Sequence, residues 1–327
     1  MKKLLLSATA LLFALGASAQ SDPVMLAPNW KVGDARTLHI VQKTYEIEND
    51  TVTEDSTDEL DAQVKVTKSS AKAFTVEMVY ENVILRQLAE MDASLGIAAD
   101  PWKKLTLRYE VQKADGKSEL VNWEEAQKFM MSAFDAIGGA INEQDAEAGA
   151  AIASIFSPYM RMLDEKEYVQ AMFSDQIGWL TGVYGKTMLP KDTLRIIQRE
   201  ANPLSQNGDS LTTTTLMTIS SLDMAKQRIV VRSEWRADMS AFVEMTKQLM
   251  LSLFEGVAKN DKERAAAKKK VDEEFKGMDM TMKNQTLTTV STRTSWPVKV
   301  VSTKRITVKA PGKHQMKTET WTIDVKE

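Results

Sequence analysis

Residues 285–325 read QTLTTVSTRTSWPVKVVSTKRITVKAPGKHQMKTETWTIDV. Threonine and valine fill this stretch, and β-branched residues fit a pleated surface better than a helix. Its last part alternates: Trp321, Ile323 and Val325 stand against Thr320, Thr322 and Asp324. A period of two sends the two sets to opposite faces, one packed and one wet. Pro311-Gly312-Lys313 interrupts the run as a turn. The expectation is three strands over 285–296, 298–310 and 315–325, in an antiparallel sheet.

The first part of the chain reads the same way. Short, partly alternating runs cover 37–47, 60–68 and 73–83, with the acidic segments Asn49-Asp50 and Glu54-Asp55 between strands. A further strand over 105–112 is expected, with Ala114-Asp115-Gly116-Lys117 as its turn. The pattern then changes. Asn122 followed by Glu125 has the spacing of a helix-opening capping box. Trp123, Ala126, Phe129, Met130, Ala133, Phe134 and Ile137 form one apolar helical stripe, which Gly138-Gly139 should end. Residues 146–155 are alanine-rich, and Ser157-Pro158 has the form of another helix start. Its rough apolar face comprises Met162, Leu163, Val169, Met172, Phe173 and Ile177.

Residues 178–190 read as a loop with a heavy apolar load: Trp179, Leu180, Tyr184, Met188 and Leu189. Such a loop either packs onto the core or lines a cleft. Strands return over 211–220 and 227–235. Asp238 then caps a helix striped by Phe242, Met245, Leu249, Leu253, Phe254 and Val257. The mixed charges of 261–276 describe a solvated helix or connector.

Together these readings predict an α+β fold: a twisted antiparallel sheet or partial barrel with inserted or packed helices. The N-terminus reads as a signal peptide over 1–19. Met1-Lys2-Lys3 is basic, 4–17 is apolar apart from Ser7 and Thr9, and Ala17-Ser18-Ala19 is the cleavage site before Gln20. Residues 20–327 form the mature α+β region, read as one extended body, with a split near residue 200 as the alternative. No cysteine follows the apolar run, which excludes a lipoprotein anchor. No second run of spanning length occurs, so the mature chain is expected to be periplasmic or secreted without an integral membrane segment.

Composition narrows the chemistry. The 327 residues contain no cysteine, which removes disulfides, thiolate metal sites and a cysteine nucleophile. The net charge of -3 becomes -5 without Lys2 and Lys3, which argues against a dedicated nucleic-acid partner. Gly182-Val183-Tyr184-Gly185-Lys186-Thr187 comes nearest to a phosphate loop, but Leu180 stands where the first glycine belongs. His39 and His314 are the two histidines and have no metal-site spacing; Gly-x-Ser-x-Gly is absent. The acids Asp50, Glu54, Asp55, Asp58, Glu59 and Asp61 lack an EF-hand's order. No metal and no cofactor is therefore expected.

The remaining signals are soft. Tryptophans 102, 123, 179, 235, 296 and 321 are dispersed among structured segments, and methionines concentrate in the helical middle. Both residue types fill cores, and both line adaptable apolar pockets. The reading is an exported non-enzymatic protein that binds a lipid or other apolar ligand, or an envelope protein partner. Met172, Trp179, Tyr184 and Met188 are the candidate ligand-binding residues. The alternative is an exported hydrolase acting on glycans through a carboxylate pair.

The basic leader, the Ala17-Ser18-Ala19-Gln20 junction and the threonine-rich strands around Thr286–Trp296 and Thr318–Ile323 carry a resemblance. In these features the chain resembles uncharacterised exported proteins of Bacteroidetes-type bacteria. The resemblance implies an envelope-associated product and transfers no active-site residue.

Overall fold

A computed structural model describes residues 22–80, 104–144, 160, 162–201, 210–257 and 260–326. The leader and its junction, residues 81–83, Trp102, the 146–155 segment and Ser157-Pro158 lie outside the described residues. The chain begins with β1 (Val24–Met25), β2 (Ala35–Glu48), β3 (Thr51–Ser69), β4 (Ala73–Tyr80), β5 (Leu105–Gln112) and β6 (Ser118–Leu120). Helices α1 (Trp123–Gln144), α2 (Lys166–Met172) and α3 (Ser174–Thr181) follow. Next come β7 (Thr187–Met188), β8 (Thr193–Ala201), β9 (Ser210–Asp223) and β10 (Arg228–Ala237). The helices α4 (Ser240–Val257) and α5 (Asp261–Phe275) precede β11 (Asp279–Ser291), β12 (Pro297–Ala310) and β13 (Lys313–Lys326).

The fold is α+β. One 11-stranded twisted antiparallel sheet has the order β6-β5-β4-β3-β2-β13-β12-β11-β10-β9-β8. Two meanders are thus welded by the pairing of β2 with β13, in which Ile40 faces Ile323. The sheet crosses residue 200 without a break, because β8 pairs with β9. A separate two-stranded ribbon joins β1 to β7.

Several local readings change. Asn49 and Asp50, at φ 46° and 64°, form the two-residue hairpin between β2 and β3. Two positive φ values in a row are what a type I′ hairpin requires, and Asn and Asp tolerate them. Glu54-Asp55 is not a second break: it lies inside β3, paired along β2. The ladder to β2 outweighs the poor strand propensity of carboxylates. Helix α1 runs through Gly138-Gly139 to Gln144, since two glycines cost less than ending a long, partnered apolar face. The expected loop over 178–190 begins in helix, because α3 extends to Thr181. Strand β8 was not foreseen.

Asn122 departs from the capping box. Its Oδ1 accepts from the Arg108 backbone N–H at 2.7 Å, and its Nδ2 donates to the Thr106 carbonyl and to Glu125. The side chain ties the start of α1 to β5 instead of capping the helix. A side-chain N-cap does open α5. The Glu263 N–H donates to Asn260 Oδ1, and Asn260 Nδ2 to Glu263.

One end of the sheet is filled by aromatic rings. Trp30 stacks on Trp296 with centroids 4.4 Å apart, and Phe74 and Tyr184 close around Trp30. The Tyr184 hydroxyl donates to the Ser295 carbonyl, and its burial pushes the phenol pKa up. Beside this plug two turns interlock. Gly185, at φ 66°, leaves no room for a Cβ, which would stand 2.1 Å from Asp115 Cα.

Candidate functional site: a graded cleft between sheet and helices

Alternation along the central strands places one residue in two on the inner face, and register lines these up into rows. The first row runs Leu60, Ile40, Ile323, Val300, Thr288, Val231 across six strands. The next is Asp58, Gln42, Trp321, Ser302, Thr286, Ser233. The third is Ser56, Thr44, Glu319, Lys304, Asn284, Trp235. A fourth contains Glu54, Glu46, Lys317 and Ile306. Successive rows are about 7 Å apart. The surface therefore grades from apolar through hydroxyl and amide to charged, away from the aromatic plug. Burial follows: Ile323 and Val300 are buried, whereas Trp321, Glu319, Lys317 and Lys304 are half-exposed.

Helices α1, α2 and α3 roof these rows. The cleft between them has a volume of about 730 Å³. Met130, Met172, Phe173, Trp179 and Val183 line it from the helical side, with Asp175 as the one charge there among the described residues. The Tyr109 hydroxyl donates to the Phe173 carbonyl at 2.8 Å and so fixes the α2–α3 junction over β5.

The polar floor is connected. Ser302 Oγ donates to Asn284 Oδ1 at 3.0 Å, and Thr286 Oγ1 lies 3.0 Å from Ser302 Oγ. A serine hydroxyl has one proton, so Thr286 is the donor in the second bond. Lys317 Nζ lies 3.3 Å from Glu319. Asp175 is open to the cleft's water but has protein on most sides. Desolvation pushes its pKa above the ordinary value, the charge of Lys304 acts against the shift, and Glu319 adds to it.

Of the sequence-predicted site residues, Met172 and Trp179 line the cleft. Tyr184 and Met188 do not line it; both are fully buried in the core, Tyr184 in the aromatic plug and Met188 in the ribbon with β1. The sequence reading did not single out Gln42, Asn284, Lys304 or Glu319. Their signal was the alternation of β2, β11, β12 and β13, which marks a face without saying what shares it.

The other motifs have structural places. In the Gly-Lys-Thr segment a helix precedes and a strand follows, the reverse of a phosphate loop. His39 lies opposite Asp324 on β13, while His314 is ten residues further along that strand, about 33 Å away. The two histidines do not meet. His39 Nδ1 instead lies 3.0 Å from Asp61. Among the described residues, no three His, Asp or Glu side chains converge as a metal site, and no helix is long and apolar enough to cross a membrane. No known family model matches the chain, and no curated protein is significantly similar to it.

Proposed function

We propose that this chain is an exported, non-enzymatic binding protein whose cleft holds one amphipathic molecule. The apolar part would lie against Ile40, Leu60, Phe173 and Trp179, and the polar part among the charged rows. The observation carrying this reading is the grading of the inner face beneath an apolar helical roof. Pockets of this kind use apolar walls for affinity and a few polar groups for orientation. The leader and its Ala-Ser-Ala junction support a periplasmic or secreted address for the mature chain.

Native mass spectrometry of the protein purified from its own source tests this. A stoichiometric adduct that extracts into organic solvent is expected, on a chain whose mass begins at Gln20. Trp179→Ala, which opens the roof, should lose it. A clean apo mass in both proteins would count against a tight binder.

A second reading, hydrolysis of a glycan, is favoured by one observation. Asp175 has a raised pKa, as a general acid requires, and it feels the charge of Glu319 on the cleft floor. Trp179 and Trp321 supply stacking surfaces. Cleavage of an envelope oligosaccharide that Asp175→Asn and Glu319→Gln each abolish would establish it in place of the first.

A further inference from the structure

We propose that the amphipathic ligand carries a neutral, hydroxyl-rich head group of the sugar class. This rests on the cleft reading above and deepens it. Two hydroxyls in the cleft wall carry the inference. Thr288 is 3% exposed and Thr44 is 7% exposed, and both line the cleft. Among the described residues neither side chain has a hydrogen-bond partner, yet neither oxygen is sealed in protein. A buried polar group without a partner costs free energy, so such groups are normally matched. The half-buried amide of Gln42, on the same strand as Thr44, is likewise unspent among the described residues. Asn284 accepts from Ser302 through Oδ1, which leaves both Nδ2 protons free for the cleft.

These groups are of both kinds. Asn284 Nδ2 and Trp321 Nε1 only donate, whereas the Gln42 amide and the two threonine hydroxyls donate and accept. An ammonium would serve only the acceptors and a carboxylate only the donors. A set of ligand hydroxyls serves both. Register supplies the second observation. Trp321 stands directly between Gln42 and Ser302 on the inner face, and Trp179 lines the roof. The C–H face of a sugar ring is apolar and lies flat on an indole, while its rim carries hydroxyls toward flanking amides and hydroxyls. Strands are about 4.8 Å apart, so Gln42 and Ser302 flank the indole at a separation of about 10 Å. That is room for a mono- or disaccharide whose alkyl chain continues onto Ile40 and Leu60.

The test is calorimetric binding of decyl maltoside, of a decyl tetraethylene glycol ether and of free maltose, the two decyl probes below their micelle concentrations. The ether has the same chain and no charge, but no sugar ring. Decyl maltoside is expected to bind about tenfold tighter than the ether, the worth of one or two neutral hydrogen bonds, and maltose alone far more weakly. Gln42→Leu removes an amide that holds no described group of the protein, so folding is not at stake. It should bring the two decyl probes to similar affinity and leave the ether unchanged. Trp321→Phe should keep most of the preference and Trp321→Leu should lose it. Equal binding of both decyl probes would mean that water serves these groups; it would overturn the head-group assignment and leave the cleft reading standing. A preference that survives Gln42→Leu and Trp321→Leu would overturn the assignment too. Maltose binding as tightly as decyl maltoside would overturn the amphipathic reading and keep the sugar site. Binding of none of the three would overturn both.

Discussion

Asp175 lies in the first turn of α3 and, among the described residues, is the charge on the helical side of the cleft. Its pKa is raised above the 3.8 of a free side chain, first by desolvation. The sign follows from linkage. A carboxyl with a higher pKa in the folded state binds its proton more tightly there, so stability declines as pH rises from the unfolded pKa through the folded one. Asp175→Asn should remove that decline and leave the protein at least as stable at neutral pH. Urea midpoints measured across the acid range check this; a variant that loses stability at neutral pH would mean the charge is held by a favourable partner instead. Of the four residues the sequence singled out as candidate ligand contacts, Met172 and Trp179 line the cleft, while Tyr184 and Met188 are buried in the core. All four carry the same apolar signal. What separates them is that Gly185 packs against Asp115, a contact between distant turns that draws Tyr184 inward and away from the cleft.

At the scale of elements, the stripe on α1 was legible because it repeats at the helical period: Ala126, Met130 and Ala133 are buried, as the pattern requires. Its attachment was not. Asn122 and Glu125 have capping-box spacing, yet Asn122 spends its amide on two backbone groups of β5. Asn122→Ala should therefore leave the Arg108 N–H and the Thr106 carbonyl unpaired in a partly buried place, a loss of about 2–3 kcal/mol. The helix start alone would lose about 1 kcal/mol. Chemical denaturation separates the two: a loss no greater than that of Glu125→Ala would restore the capping account. The same contrast explains β3. Its acids read as a break because carboxylates are poor strand formers, but a 14-residue partner strand supplied the ladder.

The whole molecule depends on one long-range weld. β2 and β13 pair from Thr37 opposite Lys326 to Glu48 opposite Gln315, joining the two ends of the chain in mid-sheet. Such contacts carry a large loop-closure cost and slow folding toward the millisecond-to-second range. Thr322 lies in this weld, flanked by Val41 and Val301. Thr322→Pro removes a ladder donor in a central strand and should cost at least about 3 kcal/mol. Urea unfolding should then show a large loss of midpoint in a single transition. A second, unshifted transition would mean that the two meanders fold separately.

By itself the sequence determined the α+β class, the β-branched strands at both ends, the helical stripe of α1 and the alternation that marks one face of β13. These are properties of a few neighbouring residues, where side-chain sterics and a period of 2 or 3.6 decide the outcome. Only the tertiary structure decided which alternating faces meet. A period of two says that Gln42, Ser302 and Trp321 each point to one side of a strand. It does not say that register over some 280 residues of chain puts them in one row. The grading of the cleft is a property of that register, because each row draws on strands the local pattern cannot connect.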